Sequence, residues 1–397
     1  MLPTVGSIAA GLCPISLRKG HGRHLAARLD CGGFWAHSSF VDLAAQFDLQ
    51  ARACDKLGSP LYGVLLRAVG RDVGDGGPCA DVLRGYESVP FADALPLRLM
   101  AGVHALVLSG AAADLAPFYP SSGADPVLDP AVARIPFRQT VIDRHDWIRD
   151  WLTRPPQTNE VGRAVPLLAG LLAAVAVTPL PVRLLELGTS GGLNLRADHF
   201  RWDSEEIGWG PVDSPVRITD AWRGPVPQWL TSAVRHHPRI DVVERRGCDP
   251  TPLNPLSARD SLALRAYVWP DQRARATRLD GALQVAQQVP AEIVLQGAGE
   301  FLAGTEVVPG TLTVVWHSVM RQYVAADEWR AVTAELDRLA AASRPDAAFA
   351  CVAFEPQGNS DDRNGFRLTV RIGRDEPTIL ARAMPHGVPA FAYPADQ

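Results

Sequence analysis

One stretch has the residue types and spacing to grip a polar ligand, Glu186-Leu-Gly188-Thr-Ser190-Gly-Gly192. It overlaps the apolar run Arg183-Leu-Leu-Glu-Leu187, which reads as a short buried parallel strand. Leu193-Asn194-Leu195 follows and begins a helical pattern. Strand, glycine turn and helix in that order bring backbone close to a nucleotide-like ligand. Gly188 lets the chain turn sharply off the strand, and Gly191 and Gly192 permit close approach by ligand and helix. Glu186 stands just before the turn, where a carboxylate can meet an amine or hydroxyls. The spacing differs from G-x-G-x-x-G, and no lysine follows as in a P-loop. An acid here disfavours a pyrophosphate and suits a ligand carrying an amino acid group and a ribose. The same letters also fit the Gly-x-Ser-x-Gly of a nucleophile elbow, so a serine hydrolase using Ser190 stands as another reading.

Further candidates fall at the ends of later strands. A predicted second strand at 240–243 leads into a charged run ending at Asp249, where a carboxylate can hold ribose hydroxyls; Asp220 is its rival, and an Asx turn is the alternative role for either. Gly297, in Gln296-Gly-Ala-Gly299, lies beyond a third strand. His317 ends a fourth strand and is the candidate general base, with Tyr323 and Glu355 at the same edge; its alternative is a histidine that hydrogen-bonds a neighbouring loop. Gln157-Thr-Asn159-Glu160 with Arg163 is a polar cluster ahead of an apolar helix. It reads either as capping with a local Asn159/Arg163 or Glu160/Arg163 pair, or as a lid over the ligand. Tyr62, Asn159, Glu160, Arg163, Trp269 and Asp271 are the candidate residues on the acceptor side. His236-His237 and Cys248 lack metal-ligand spacing, so no metal is expected.

The elements that position these residues divide the chain. Its 397 residues suffice for about two domains, and 47% hydrophobic residues give ample core. A formal net charge of −4 shows no basic excess pointing to nucleic acid. Six scattered cysteines without a C-x-x-C pair fit reduced thiols and a cytoplasmic location. The apolar run 164–177 is too short for a membrane span. Residues 1–33 read as a disordered extension and 34–156 as a helical cap. The remainder, 157–397, alternates strand and helix, with an insertion at about 198–238. That pattern predicts a doubly wound, mostly parallel sheet with ligands at its carboxyl edge.

The turn resembles the first motif of the S-adenosylmethionine-dependent methyltransferases, acid-x-Gly-x-Gly-x-Gly, with Ser190 in place of the middle glycine. Across most of its length the chain also resembles a bacterial domain-of-unknown-function family numbered 2332. The resemblance is carried by Gly58-Ser-Pro-Leu-Tyr62, Gln157-Thr-Asn-Glu160, Leu185–Leu195, Arg246-Gly-Cys-Asp249, Val268-Trp-Pro-Asp271 with Arg275, and Trp316-His-Ser318 with Tyr323. It implies a class I methyltransferase-like Rossmann sheet, S-adenosylmethionine as cofactor and a small-molecule acceptor. The cofactor-side residues would be Glu186, Gly188, Ser190, Gly192, Asn194, Asp249 and Gly297. In that scheme an acid follows the third strand to read the adenine amine; here 297–299 hold none, and Glu300 lies just beyond. The string Asn/Asp-Pro-Pro-aromatic is missing, which disfavours methylation of nucleic-acid bases or amide nitrogen. A non-catalytic nucleoside-binding protein on the same fold is the alternative.

Overall fold

The computed structural model describes residues 42–123, 129–356 and 365–393. The expected extension at 1–33 and the loop Asn359–Asn364 lie outside the described residues. Six α-helices come first: α1 (Leu43–Lys56), α2 (Pro60–Gly74), α3 (Pro78–Val82), α4 (Leu95–Leu108), α5 (Arg134–Asp143) and α6 (His145–Leu152). They share a core that includes Phe47, Leu65, Leu66, Leu99 and Phe137, and Trp269 from far along the chain enters it. α7 (Ala164–Val177) is apolar nearly all round and almost wholly buried, as a helix without a polar face must be.

β1 (Val182–Leu187) follows. The insertion then folds as β2 (Arg201–Asp203), β3 (Gly208–Trp209) and β4 (Arg217–Ile218), a small separate sheet, with α8 (Gln228–His236). Next come β5 (Val242–Asp249), α9 (Ala258–Ala266), α10 (Arg273–Gln288), β6 (Glu292–Leu295), α11 (Ala298–Ala303), β7 (Thr311–Ser318), α12 (Ala326–Ala342), β8 (Ala347–Pro356), β9 (Phe366–Ile372), β10 (Thr378–Ala383) and β11 (Ala390–Ala392). The main sheet has eight strands in the order β11-β10-β9-β8-β7-β1-β5-β6. β6, β5, β1, β7 and β8 run parallel, and the last three strands pair antiparallel. β1 is central, and its alternating side chains enter two cores. Val182 and Leu184 pack on the α7 side, while Leu185 and Leu187 join α11 and α12. The chain leaves β1 towards β5 and β6, then returns past it to β7 and β8. This reversal opens a crevice at the carboxyl ends of the central strands.

Several local expectations are corrected. After the glycine turn the chain forms a 3-10 segment, Asn194–His199, with Arg196 off helical geometry. The second parallel strand extends through Glu244 to Asp249, so the charged run 244–249 is strand. Ser59, a capping residue by type at the position before α2, does not cap it with its own side chain. Asp271 does so from outside. Its carboxylate accepts from Ser59 Oγ at 2.5 Å and from the Leu61 backbone N–H at 3.1 Å. Asp271 was expected to touch substrate; it serves as a remote cap that ties the helical segment to the corner before α10.

Asp271→Ala should therefore cost about 1–3 kcal/mol, the usual range for orphaning a partly buried hydrogen-bonded group. Chemical denaturation measures it; an unchanged midpoint would show that the two segments dock without this tie.

Candidate functional site

A cavity of about 820 Å³ opens at the crevice. Its floor is the glycine turn, with Glu186, Gly188, Ser190, Asn194 and Asp249 on the lining. Tyr62 and Arg98 reach it from the helical segment, and Asn159, Glu160 and Arg163 from the linker that follows. Trp269, Arg275, Tyr323 and His386 complete the walls. Four expected residues, His317, Gly192, Gly297 and Asp271, are not on the lining.

The turn is shaped by backbone donors that need partners away from water. Gly188 has φ +66°, open to glycine. Ser190 also takes a positive φ, 51°, unusual for a residue with a side chain. Three contacts hold it there. Its N–H donates to Asp249 Oδ2 at 2.8 Å, its Oγ donates to Gln157 Oε1 at 2.6 Å, and its carbonyl accepts from Leu253 N–H at 3.2 Å. Asn159 Oδ1 accepts from the Leu193 N–H at 2.9 Å, and Asn194 Nδ2 donates to the Glu160 carbonyl at 3.3 Å. Gln157 Nε2 donates onward to Thr251 Oγ1 at 2.7 Å. The polar cluster 157–160 is thus a strap laced to the glycine turn and lies on the cavity lining; the expected capping is present as well, since Glu160 Oε1 accepts from the Gly162 N–H at 3.1 Å, while the expected local pair with Arg163 is not. Asp249 Oδ1 accepts from Thr251 N–H at 2.8 Å, which is an Asx turn, so this alternative is present together with the cavity position. Asp220 is exposed, pairs with Arg223 in the insertion and is not on the lining.

Two buried carboxyls in this wall have opposite fates. Glu160 is 4% exposed and sits 2.6 Å from Arg275 Nε, with Arg278 at 3.8 Å and His386 Nδ1 at 3.6 Å. Burial opposes its charge, but Arg275, Arg278 and Arg163 hold the carboxyl down at about 2. Its ion partner is Arg275, 115 positions away, and not Arg163 as the local spacing predicts. Arg163 instead donates from Nε to the Pro385 carbonyl at 3.2 Å. Glu186, 3% exposed, accepts from the Thr189 hydroxyl at 2.5 Å and makes no ion pair among the described residues; burial pushes its carboxyl up to about 8, against the opposing pull of Thr189 and Arg196. His386 lines the cavity with neither ring nitrogen in a hydrogen bond; burial lowers it to about 3 and keeps it neutral.

His317 is corrected as a candidate base. It is 3% exposed, its Nδ1 lies 2.8 Å from Glu355 Oε1, and its ring packs edge-on against Trp329 of α12. Burial works against its charge, but Cys351 and Glu355 raise it to about 10, and its Nδ1 is engaged by Glu355 and so turned from the cavity. Glu355 Oε1 also accepts from the Met320 N–H at 3.1 Å, so the pair fixes the loop after β7. Tyr323 stands on the cavity rim, 54% exposed. Gly192 is a packing glycine: a Cβ there would lie 2.6 Å from Ile293 Cδ1. Gly297 precedes α11, beside Glu328 of α12, whose carboxylate accepts from the Gly299 N–H at 2.9 Å. Arg98 and His386 were not foreseen. Arg98 had a signal, a lone charge in the apolar run Leu95–Leu108. His386 had none, since it reaches the cavity only through the turn after β10.

Among the described residues no group of three or more His, Cys, Asp or Glu could hold a metal ion, and no helix is long and apolar enough to cross a membrane. Fold and site together define a mixed α/β protein with a ligand cavity at the carboxyl edge of a mostly parallel sheet. A family model described as "Uncharacterized protein conserved in bacteria (DUF2332)" matches residues 44–391, and the chain belongs to that family. No curated protein and no solved structure matches the chain.

Glu186→Gln isolates the buried acid. A carboxyl whose value rises from 4.5 to about 8 on folding gives stability that is complete below 4.5 and is lost as pH climbs to about 8. Melting temperatures across that window should fall further for the wild type than for Glu186→Gln. Parallel curves would mean that Glu186 is ionised in the fold.

Proposed function

We propose that this protein binds S-adenosylmethionine in the cavity and methylates a small-molecule acceptor. The observation that carries the reading is the meeting of Glu186, the Gly188–Asn194 turn and Asp249 at the ends of adjacent parallel strands. The strand order β6-β5-β1-β7-β8 is that of a doubly wound sheet with its switch point beside β1, the arrangement expected of a class I methyltransferase-like Rossmann fold. The helical segment then acts as a cap over the acceptor side.

The residues present fit the cofactor. Asn194 Oδ1 and Gln322 Oε1 are buried acceptors without a hydrogen-bond donor, both on the cavity lining, and they match a ligand rich in N–H and O–H groups. Glu186 is placed for a ligand ammonium, whose charge would draw its proton off. Asp249 has lone pairs left after its backbone contacts and is placed for ribose hydroxyls. When bound, the cofactor supplies an electrophilic methyl group on sulfonium. The chain's part is to orient the two reactants and to exclude water. With His317 off the cavity lining and paired with Glu355, the cavity favours an acceptor whose nucleophile needs no proton removed. The hydrolase reading loses ground because Ser190 Oγ bonds an amide oxygen, which cannot serve as a base.

Calorimetric titration should give micromolar binding of S-adenosylmethionine and of S-adenosylhomocysteine. Glu186→Gln should weaken both by about 1.5–3 kcal/mol, as for a lost hydrogen bond to a charged group. No binding of either by the wild type would overturn the reading.

A further inference from the structure

Arg98 is a cation inside an apolar helix. It is 8% exposed, on α4 between Leu97 and Leu99, and it lines the cavity. No carboxylate pairs with it among the described residues, and its Nε is buried without a hydrogen-bond partner. Its guanidinium lies over the Tyr86 ring, 5.5 Å from the centroid. That contact does not replace the hydration a guanidinium gives up on burial. The Tyr267 hydroxyl is a second buried group on the same lining; the Trp151 indole N–H is its neighbouring donor, which leaves the phenol O–H uncommitted, and it is close enough to Arg98 to feel its charge. Among the described residues this end of the cavity therefore offers donors without a paired acceptor; Asp93 is on the same lining but makes no ion pair with Arg98.

We propose that Arg98 and Tyr267 form an anion subsite that holds the carboxylate of an apolar organic acid. A guanidinium presents parallel N–H groups that match the two oxygens of a carboxylate. One cation and one hydroxyl balance a single negative charge. The nearby walls, Leu97, Ala101 and Ala266, suit a hydrocarbon body and would strip a dianion of water without compensation. As the grip on a methyl acceptor, the subsite rests on the reading above. As an anion site, it stands on Arg98 and Tyr267 alone.

The test is calorimetric titration of the full chain with hexanoate and 3-phenylpropanoate, against hexanamide and 3-phenylpropanamide. The acids should bind about tenfold or more tighter than their amides. Arg98→Met should erase that preference, and Arg98→Lys should keep part of it. Without ligand, Arg98→Met should melt no lower than the wild type, because it removes a buried cation without a counter-ion. Equal binding of acids and amides, or no binding of either, overturns the subsite. So does a melting temperature several degrees lower in Arg98→Met, which would mark Arg98 as a structural strut. S-adenosylhomocysteine titrated in the same series separates the two claims. Acid-selective binding without it leaves the subsite and removes methyl transfer; its binding without acid selectivity does the reverse.

Discussion

The structure depends on how the turn after β1 satisfies its backbone. A chain that leaves a buried parallel strand through Gly188–Asn194 presents N–H groups where water is excluded, and each needs an acceptor. Two of those acceptors come from side chains remote in sequence: Asp249 takes the Ser190 N–H and Asn159 takes the Leu193 N–H. Meeting this demand fixes β5 beside β1 and fastens the strap 157–160 across the turn. The strap in turn carries Glu160 to Arg275 at the start of α10. The corner before α10 holds the helical segment through Asp271. One local requirement thus organises the sheet edge, the linker and the helical segment around a single cavity.

The charges in that cavity follow from partners more than from burial. Glu160 and Glu186 are almost equally buried, yet one is ion-paired among arginines and the other accepts from a hydroxyl without an ion pair. The arginines favour the ionised form of the first, and burial favours the protonated form of the second. A buried acid at the sheet end and a guanidinium without an ion pair among the described residues at the helical end give the cavity two poles of opposite need. A ligand set with an ammonium on one member and a carboxylate on another answers both.

Much of this was legible in the sequence. The glycine turn and the alternation of strand and helix that follows it each carry a local signal, in apolar runs or glycine punctuation. The candidate residues around the turn share one cavity because a doubly wound sheet gathers its strand ends. What sequence could not supply is direction and long-range pairing. His317 sits one residue from Trp316 on a pleated strand, so it faces the opposite core, α11 and α12, and no spacing rule announced which face held the ligand. Glu160 pairs with Arg275 and not with its helical neighbour Arg163, because the 3-10 start of that segment turns its carboxylate towards α10. Asp271 was taken for a binding residue since a remote cap leaves no trace in local sequence.

The central claim is that the cavity floor holds a nucleoside with an amino acid tail. A crystal structure grown with S-adenosylhomocysteine tests it most directly. The account predicts the ligand over the Gly188–Asn194 turn, its ribose at Asp249 and its ammonium at Glu186. A ligand bound elsewhere, or an empty cavity at saturating concentration, would contradict it.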